Sequence, residues 1–379
     1  MAKTKNRKTI PDRIVRELWT RSAGRCEFEG CNKPLWRDIH TQQSFNHAFI
    51  AHIIAAEVGG ARGHTVLSEQ LCQDYGNLML LCGDCHARVD NLLTRNDYSV
   101  ERLWQMKQRH EDRIERLTAI QEDKASDVLL FGANIGQHNS PLSFSECSRA
   151  ITPAFYPANA SPIVLSLSNS GIRDNEAIYW QFERTNLENQ FVQKVQARRQ
   201  VGEIRHLSVF GLAPQPLLIQ LGALLGDIHS SVIYQRSREP STWQWREPNL
   251  PINYQVIEPI KLNGIAVLNV SLSGTIAPDR IYDVLGPDCA IWTLTINQPD
   301  NDYLRTEEQL ADFRSHMRAL LNRIKSTHGQ GSPLHIFPAM PVATAIELGR
   351  VRMPKTDPPF MLYDQNHLTN GFSQAFIIN

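Results

Sequence analysis

Apolar residues in the second half of the chain recur in two similar stretches. Residues 206–222 and 334–349 each contain an apolar run, a proline and a second apolar run, and five positions recur 127 residues later: Phe210, Pro214, Ile219, Leu221 and Gly222. Each stretch predicts a strand, a Pro-bearing turn and a helix, followed by a short strand at 232–234 or 361–363. This order is typical of a parallel sheet with crossover helices.

A second pair of stretches strengthens the duplication. Residues 164–171 and 268–274 are both apolar runs that lead into small polar residues. They are predicted to be strand-to-helix loops, although ordinary turns would have the same composition. In open α/β sheets such loops form the ligand crevice, and small residues let backbone N–H groups approach phosphate oxygens.

The N-terminal third has a different pattern. Residues 99–123 predict a charged helix, because four apolar residues fall roughly on one face: Leu103, Met106, Ile114 and Leu117. Residues 124–160 are rich in turn-forming residues and are predicted to include a hinge or the lead-in to the next domain. The predicted fold class is therefore a multidomain α/β protein divided at 1–123, 124–160 and 161–379. The last part divides into pseudo-repeats at about 161–255 and 256–379.

Composition indicates a soluble protein of two or three domains. The chain has 379 residues, no apolar run long enough to span a membrane, and no apolar segment at its start that would resemble a secretory signal. We therefore expect a cytoplasmic protein with no membrane partner. Cys72, Cys147 and Cys289 are expected to be free thiols in a reducing compartment.

Basic residues are concentrated at the N-terminus, although the whole chain has a formal net charge of zero. Residues 1–25 contain only Asp12 and Glu17 against eight basic residues, a net charge of plus six: Lys3, Lys5, Arg7, Lys8, Arg13, Arg16, Arg21 and Arg25. Such an arm can neutralise phosphates without reading sequence, which predicts salt-sensitive, largely non-specific DNA binding. A solvated charged face is the alternative.

Four cysteines have the spacing of a metal site. Cys26 and Cys31 form a Cys-x4-Cys pair, and Cys82 and Cys85 form a Cys-x2-Cys pair. Two short-spaced pairs predict one tetrahedral, structural zinc ion, because a closed set of four thiolates leaves no position for a substrate. Buried cysteines without a metal are the alternative.

Three further residues stand in a recognisable order among these cysteines: His52, Asn77 and His86. With them, the first ninety residues resemble the HNH nucleases, which have a ββα-metal fold often stabilised by such a zinc. The resemblance implies phosphodiester hydrolysis with His52 as general base and His86 as a ligand of a catalytic Mg²⁺ or other divalent ion. Asn77 would orient the base or join the metal shell.

One position departs from the commonest pattern of that family. An Asp that precedes the first His and helps to hold the metal is Ala51 in this chain. The shell would then be thinner, or another group would complete it: Asp90, Asn91, His47 or water. Asp90 follows His86 by four residues, so the two would share a face of a helix.

The C-terminal part, residues 150–379, resembles the SAVED domain, a fusion of two CARF-like Rossmann units that senses cyclic nucleotides in bacterial anti-phage CBASS systems. The resemblance rests on residues 206–214, 235–245 and 337–350. Nearly the whole chain thus resembles the HNH-SAVED effector nucleases, a zinc-stapled HNH domain followed by a SAVED sensor.

This resemblance implies a ligand-controlled enzyme. A cyclic di- or trinucleotide from a partner cyclase, with cyclic GMP-AMP as one candidate, would drive assembly of a homo-oligomer, from dimer to tetramer. The assembly would degrade double-stranded DNA without sequence preference, causing abortive infection. The candidate ligand-binding residues include small turn residues, two tryptophans and four basic residues: Ser168, Ser170, Pro214, Ser273, Pro341, Trp243, Trp245, Arg236, Arg238, Arg352 and Lys355.

Two alternatives remain at this stage. One is a modification-dependent HNH restriction endonuclease whose C-terminal domain reads DNA. Such a reader is expected to carry a basic, aromatic groove, whereas residues 150–379 predict duplicated strand–turn–helix units. The other is a ligand-responsive zinc-knuckle protein that binds DNA without cutting it.

Overall fold

The computed structural model describes residues 9–38, 40–120, 124–133, 142–166, 178–247, 250–366 and 371–379. It divides into two compact units, residues 1–121 and 122–379. The first unit contains, in chain order, α1 (Asp12–Arg21), β1 (Ala48–His52), α2 (Leu67–Gln70), β2 (Leu78–Cys82), α3 (Gly83–Asp90) and α4 (Val100–Thr118).

The centre of the first unit is an antiparallel pair of strands followed at once by a helix. β1 pairs with β2 so that Ala48 lies opposite Cys82 and His52 opposite Leu78. Every residue of β2 is buried, which accounts for its continuous apolar sequence. α3 begins at the residue after β2 and packs against both strands. The end of β1 and the exposed face of α3 therefore belong to one small ββα element.

The predicted charged helix is present as α4 and is shorter at its end than expected. Ser99 caps it, because the Ser99 hydroxyl accepts a hydrogen bond from the backbone N–H of Arg102. Leu103 and Met106 are buried in the core of the unit, whereas Leu117 is half exposed. The apolar face that the sequence shows is thus buried only along the first half of the helix.

The second unit contains two sheets joined by an apolar core. Its first part consists of β3 (Ala125–Gly132), α5 (Phe144–Ile151), β4 (Tyr156–Pro157), β5 (Ile163–Ser166), α6 (Tyr179–Phe191), a π-helical turn (Val192–Gln196), α7 (Ala197–Gln200), β6 (Leu207–Leu212), α8 (Gln215–Leu225) and β7 (Ser231–Tyr234). Its second part consists of β8 (Tyr254–Ile257), β9 (Ile265–Ser271), α9 (Pro278–Leu285), β10 (Cys289–Ile296), α10 (Glu307–His328), β11 (Leu334–Ala339), α11 (Val342–Val351), β12 (Phe360–Asn366) and β13 (Gly371–Ile378).

The two sheets share one strand order. In the first, β3 lies between β5 and β6, and β7 follows β6, all parallel. In the second, β9 lies between β10 and β11, and β12 follows β11, again parallel, with antiparallel β8 and β13 at the two edges. The sheets are Rossmann-like, and the predicted strand–turn–helix units are β6–α8 and β11–α11.

Side-chain packing repeats as well. Phe210 on β6 stacks on Tyr234 on β7, with ring centroids 4.5 Å apart. Phe337 and Tyr363, on β11 and β12, stack in the same way at 4.3 Å. The same register is kept, since Leu129 pairs with Val209 in one sheet as Leu268 pairs with Ile336 in the other. The second unit is an internal duplication at the level of strand order, register and aromatic contacts.

Two sequence-based assignments of this unit are wrong. Residues 124–160 were predicted to hold a hinge or a lead-in segment, but they contain β3, a strand at the centre of the first sheet with seven of its eight residues buried. The first repeat therefore begins near residue 125 and not near 161. The match between 164–171 and 268–274 is also wrong, because β5 occupies the place of β10, and the counterpart of β9 is β3.

Helices α8 and α11 join the two repeats and run in the same direction. Near their starts, the Gln215 side chain donates a hydrogen bond to the Met340 carbonyl oxygen at 3.1 Å. Near their ends, the Arg350 side chain donates to the Gly226 carbonyl oxygen at 3.1 Å. Because each helix returns antiparallel to its strand, the carboxyl ends of both sheets open on the same face of the unit.

Among the described helices, none is both long enough and apolar enough to cross a membrane.

Candidate functional site

The four cysteines of the first unit come together at one point. Cys26 and Cys31 lie in the turn after α1, Cys82 ends β2 and Cys85 lies in the first turn of α3. Their sulfur atoms all lie within 4.8 Å of one another, and the sulfurs of Cys31 and Cys82 are 3.8 Å apart. Four thiolates at about 2.3 Å from a tetrahedral zinc ion would be about 3.8 Å apart. The donor set therefore fits zinc.

Burial keeps the Cys26 thiol protonated when no cation is bound. Burial raises the pKa of Cys26 to about 12. The backbone N–H of Cys82 donates to the sulfur of Cys26 at 3.3 Å and is too weak to offset that burial. A thiol in this setting ionises near neutral pH only when a metal ion stabilises the thiolate.

His52 lies at the end of β1 with a defined ring orientation. Its Nε2 atom is 2.9 Å from the carbonyl oxygen of Cys72. A carbonyl oxygen can only accept, so Nε2 carries the hydrogen and the neutral ring has its lone pair on Nδ1. The contact therefore selects the tautomer in which Nδ1 can take up a proton.

Asn77 supports the loop next to His52. Its side-chain Oδ1 accepts the N–H of Ile54 at 2.7 Å, and its Nδ2 donates to the carbonyl oxygens of Ile54 at 2.9 Å and Leu71 at 3.1 Å. The residue is only 1% exposed. Of the two roles expected for Asn77, this geometry fits orientation of the base. It does not fit metal ligation, because the side chain is enclosed by the backbone groups of Ile54 and Leu71.

His86 and Asp90 share the exposed face of α3. The His86 Nε2 and the Asp90 Oδ2 are 3.6 Å apart, and the His86 ring stacks on Phe49 of β1 with centroids 5.2 Å apart. The other two groups considered for the metal shell have different neighbours. Asn91 accepts the N–H of Leu93, and the His47 ring packs on Phe45. The His86 nitrogen and the Asp90 oxygen lie within ion-pair distance of each other, whereas the four cysteines form the group of three or more metal-binding side chains found among the described residues.

The basic arm is only partly described. Residues 1–8, which include Lys3, Lys5, Arg7 and Lys8, lie outside the described residues. On α1, Arg13 and Arg16 are exposed, whereas Arg21 lies near the carboxylates of Glu17 and Glu111. The described part of the arm thus presents fewer uncompensated charges than the sequence count predicts.

In the second unit, several predicted ligand residues meet at the carboxyl ends of the strands. Pro214 and Pro341 precede α8 and α11, and both are buried. The N–H of Ser273, after β9, donates to the carbonyl oxygen of Ala339 at 2.8 Å. Together with the contact between Gln215 and Met340, this bond holds three turns together at the carboxyl edge of the sheets, the place where a ligand crevice is expected in such folds and which we call the crevice. Ser168 and Ser170 lie outside the described residues.

The residues after β7 differ in accessibility. Arg238 is exposed, and its backbone N–H donates to Asp302 at 3.0 Å. Arg236 is partly buried and pairs with Glu146 at 3.3 Å. Trp245 is also partly buried. Arg238 is therefore the member of this group that can reach a ligand without rearrangement.

Trp243, predicted to stack on a purine, is a core residue. It is 1% exposed, and its ring meets the edge of Phe210 at 5.1 Å. The same edge-on contact recurs between Phe337 and Phe372 of the second repeat. Trp243 therefore has the structural role of its counterpart, and its buried ring does not present a face to a purine.

Arg352 and Lys355 lie away from the crevice. Both follow α11, whereas Pro341 precedes it, and a helix of ten residues is about 15 Å long. Arg352 is buried and donates to the carbonyl oxygens of Pro358 and Asn379. Lys355 is exposed. The structure thus separates these two residues from the turns with which they were grouped.

Two glutamines at the crevice were not predicted. Gln215 is the first residue of α8, and its Oε1 is buried without a hydrogen-bond partner among the described residues. Gln235 follows β7, and its Oε1 accepts the N–H of Ala343 in the first turn of α11 at 3.1 Å. Their positions directly after an apolar run or a Pro-bearing turn were the available signal, because that is where strands deliver side chains to the carboxyl edge.

Comparison with known families identifies the second unit. The sequence model of the SMODS-associated and fused to various effectors sensor domain, or SAVED, matches residues 187–378, just over half of the chain. The chain belongs to the SAVED family. The match runs from within α6 to β13 and covers the crevice residues of both repeats. It confirms the SAVED resemblance found in the sequence.

Solved structures similar to this SAVED protein include Cap4 SAVED/CARF-domain receptors. The Acinetobacter baumannii receptor with the cyclic trinucleotide 2'3'3'-cAAA has a TM-score of 0.45 and 14% identity over 83% of this chain and 67% of that chain. Its complex with 3'3'3'-cAAA has a TM-score of 0.45 and 15% identity, over 84% of this chain and 68% of that chain. The Moraxella osloensis receptor has a TM-score of 0.41 and 14% identity, over 84% of this chain and 70% of that chain. Comparison with curated proteins gives no match.

Proposed function

We propose that this SAVED-family protein is a cyclic-oligonucleotide-activated, metal-dependent HNH endonuclease that degrades double-stranded DNA as an anti-phage effector. The observation that carries the proposal is the ββα element of the first unit, where His52 ends β1 and the His86–Asp90 pair lies on α3, beside four clustered cysteines. The family is a sensor family by its description, and the residues of the first unit support an effector role for that unit.

Each residue of the ββα element has a separate role in the proposed phosphodiester hydrolysis. Nδ1 of His52 takes a proton from the attacking water, because the hydrogen bond from Nε2 to Cys72 leaves the lone pair on Nδ1. Asn77 holds Ile54 and so fixes the end of β1. His86 and Asp90 would hold the divalent ion, which stabilises charge on the phosphorane and the leaving oxygen. The zinc at the four cysteines would keep β2 and α3 in place.

The sensor crevice suits an anionic ligand. The starts of α8 and α11 open on the same face, and helix N-termini favour phosphate groups. Arg238 offers an exposed guanidinium beside these turns. A cyclic di- or trinucleotide from a partner cyclase would carry its phosphates to this face. It can activate the protein only by binding the active assembly, a dimer to tetramer, more tightly than the resting form.

The deciding experiment is plasmid degradation by the purified, zinc-loaded protein in Mg²⁺ or Mn²⁺. It is screened against cyclic di- and trinucleotides, including cyclic GMP-AMP and the two cAAA isomers, with light scattering on the same samples. We expect cutting with one ligand only, together with a rise in mass. His52→Ala should abolish cutting with zinc content unchanged. His40→Ala, at an exposed turn position, is the matched control and should cut normally.

Other outcomes lead to the alternatives. Cutting without ligand, or only of modified DNA, would replace the proposal with a restriction-type endonuclease. Ligand-dependent retention of DNA without cutting in either metal, unchanged by His52→Ala, would replace it with a non-enzymatic DNA-binding protein.

A further inference from the structure

Arg62 lies between the two halves of the proposed nuclease site. Its guanidinium donates three hydrogen bonds: from Nε to the carbonyl oxygen of Ile53 at 2.7 Å, from one terminal nitrogen to the carbonyl oxygen of Val89 at 2.7 Å, and from the other to Oδ1 of Asp90 at 2.8 Å. The side chain is only 8% exposed. One planar group thus connects the residue after His52 with the end of α3.

The glycine-rich loop after β1 places Arg62 there. A Cβ atom on Gly60 would lie 2.6 Å from the Cβ of Ala55, and one on Gly63 would lie 2.3 Å from the carbonyl oxygen of Val58. The loop can therefore fold tightly back on itself only with glycine at these positions. Arg62 itself has a φ of 56°, in the left-handed region, which turns its side chain back over the end of β1.

The hydrogen bond from Arg62 orients the Asp90 carboxylate. Oδ1 of Asp90 accepts from the guanidinium, and Oδ2 lies 3.6 Å from Nε2 of His86. The Asp90 side chain is 41% exposed at the last position of α3, so packing alone does not fix its rotamer. A partner on Oδ1 keeps Oδ2 directed at the imidazole.

We infer that Arg62 is a positioning residue for the divalent-ion site, holding the Asp90 carboxylate towards His86 and fixing α3 relative to the end of β1. The inference rests on the proposed function, which assigns the ion to His86 and Asp90. Arg62 would not touch the ion. Outer-shell partners of metal ligands typically contribute about 10- to 100-fold to metal affinity, and one of the three hydrogen bonds of Arg62 goes directly to the proposed ligand Asp90.

The test measures Mn²⁺ binding by electron paramagnetic resonance in zinc-loaded protein without DNA. We expect Arg62→Met to weaken Mn²⁺ binding about 10- to 100-fold with zinc content unchanged. Arg62→Lys should weaken it less, because an ammonium can pair with Asp90 but cannot reproduce the fork of three bonds. Arg88→Met removes the same charge from an exposed position of α3 and should bind Mn²⁺ normally. Saturating Mn²⁺ should restore cutting by Arg62→Met, which a folding defect would not allow.

Two results would overturn the inference. One is wild-type Mn²⁺ affinity in a zinc-loaded Arg62→Met protein. If Arg62→Met loses zinc and unfolds, the test uses Arg62→Lys instead. Wild-type Mn²⁺ affinity in Arg62→Lys would then overturn the inference. The proposed function fails separately. If wild-type protein binds Mn²⁺ through His86 but never cuts DNA, the nuclease proposal falls and the role of Arg62 stands. If His86→Ala leaves Mn²⁺ binding intact, there is no such ion site and both fall.

Discussion

Gly222 of α8 and Gly349 of α11 occupy equivalent positions in the two repeats, and the helices meet backbone to backbone at these two residues. A Cβ atom on Gly222 would lie 1.8 Å from the carbonyl oxygen of Ile346, and one on Gly349 would lie 1.9 Å from the carbonyl oxygen of Ile219. The contact is reciprocal, because Ile219 and Ile346 are also equivalent residues. The duplication is therefore joined about a local pseudo-twofold axis, which places the two crevice halves on one face.

This contact makes Gly222→Ala strongly destabilising. Alanine is a better helix former than glycine by about 1 kcal/mol, so an uncrowded site would gain stability. At Gly222 the added methyl group would force two backbones apart, and we expect a loss of about 3 kcal/mol. Urea unfolding of the purified protein would measure it. Gly331→Ala, where a Cβ atom meets nothing within 4 Å, should change stability little. A Gly222→Ala protein as stable as wild type would contradict the close approach.

The repeat could be predicted because its signal is local. Phe210, Pro214 and Gly222 recur at a fixed shift, and each marks a strand, a turn or a helix contact that one segment specifies. The pairing of strands is not local. β5 and β9 have similar apolar sequences, and only their neighbours in the sheets distinguish them. The strand β3 is hard to predict because the apolar run 128–131 is only four residues long and is followed by Gly132 and several prolines, which indicate turns.

The candidate site residues also fall into those that local sequence predicts and those that depend on tertiary contacts. The cluster of four cysteines could be predicted from spacing, since a metal site needs particular residue types in a particular order, and the role of His86 stays a prediction. Arg62 could not, because an arginine in a loop is ordinary and its three acceptors meet only when the loop folds back. Trp243 and Trp245 were candidates for the ligand as aromatic residues that could stack on a purine. The burial of Trp243 behind Phe210 is a tertiary property.

The zinc cluster gives a prediction with a built-in control. Cys85→Ser should remove zinc and unfold the first unit, because binding to four thiolates supplies folding free energy. Cys72→Ser should keep a full equivalent of zinc, since Cys72 is outside the cluster of four. Metal analysis by mass spectrometry and limited proteolysis would show both effects. Full zinc in Cys85→Ser would show that the cluster is not the binding site.

His206 gives the second unit a pH-dependent stability. Burial, with a smaller contribution from the charge of Lys124, lowers the pKa of His206 from 6.5 to about 4. Between these values the unfolded chain binds more protons, so stability falls as pH falls from 6.5 towards 4. At pH 5 the lowered pKa of His206 corresponds to a loss of about 2 kcal/mol in the free energy of unfolding. Partial exposure of the side chain reduces this loss to about 1 kcal/mol.

Replacing His206 should reduce that dependence. His206→Asn offers a polar group to Ser126, whose hydroxyl lies 2.8 Å from Nδ1 of His206, and does not titrate. Its loss of stability between pH 7 and pH 5, measured by urea unfolding, should be about 1 kcal/mol smaller than that of wild type. His229→Asn, at an exposed position, should behave as wild type does. The same pH dependence in all three proteins would refute the assignment.

Replacing Arg238 or Lys355 tests which end of α11 binds the ligand. Both side chains are exposed and cationic, but Arg238 lies at the crevice and Lys355 follows the far end of the helix. If the crevice binds the phosphates of a cyclic oligonucleotide, Arg238→Ala should weaken binding about 10- to 100-fold, the effect of one lost charge-assisted hydrogen bond. Lys355→Ala should bind normally. Calorimetric titration with the activating ligand measures both, and the opposite pattern would move the ligand to the other end of α11.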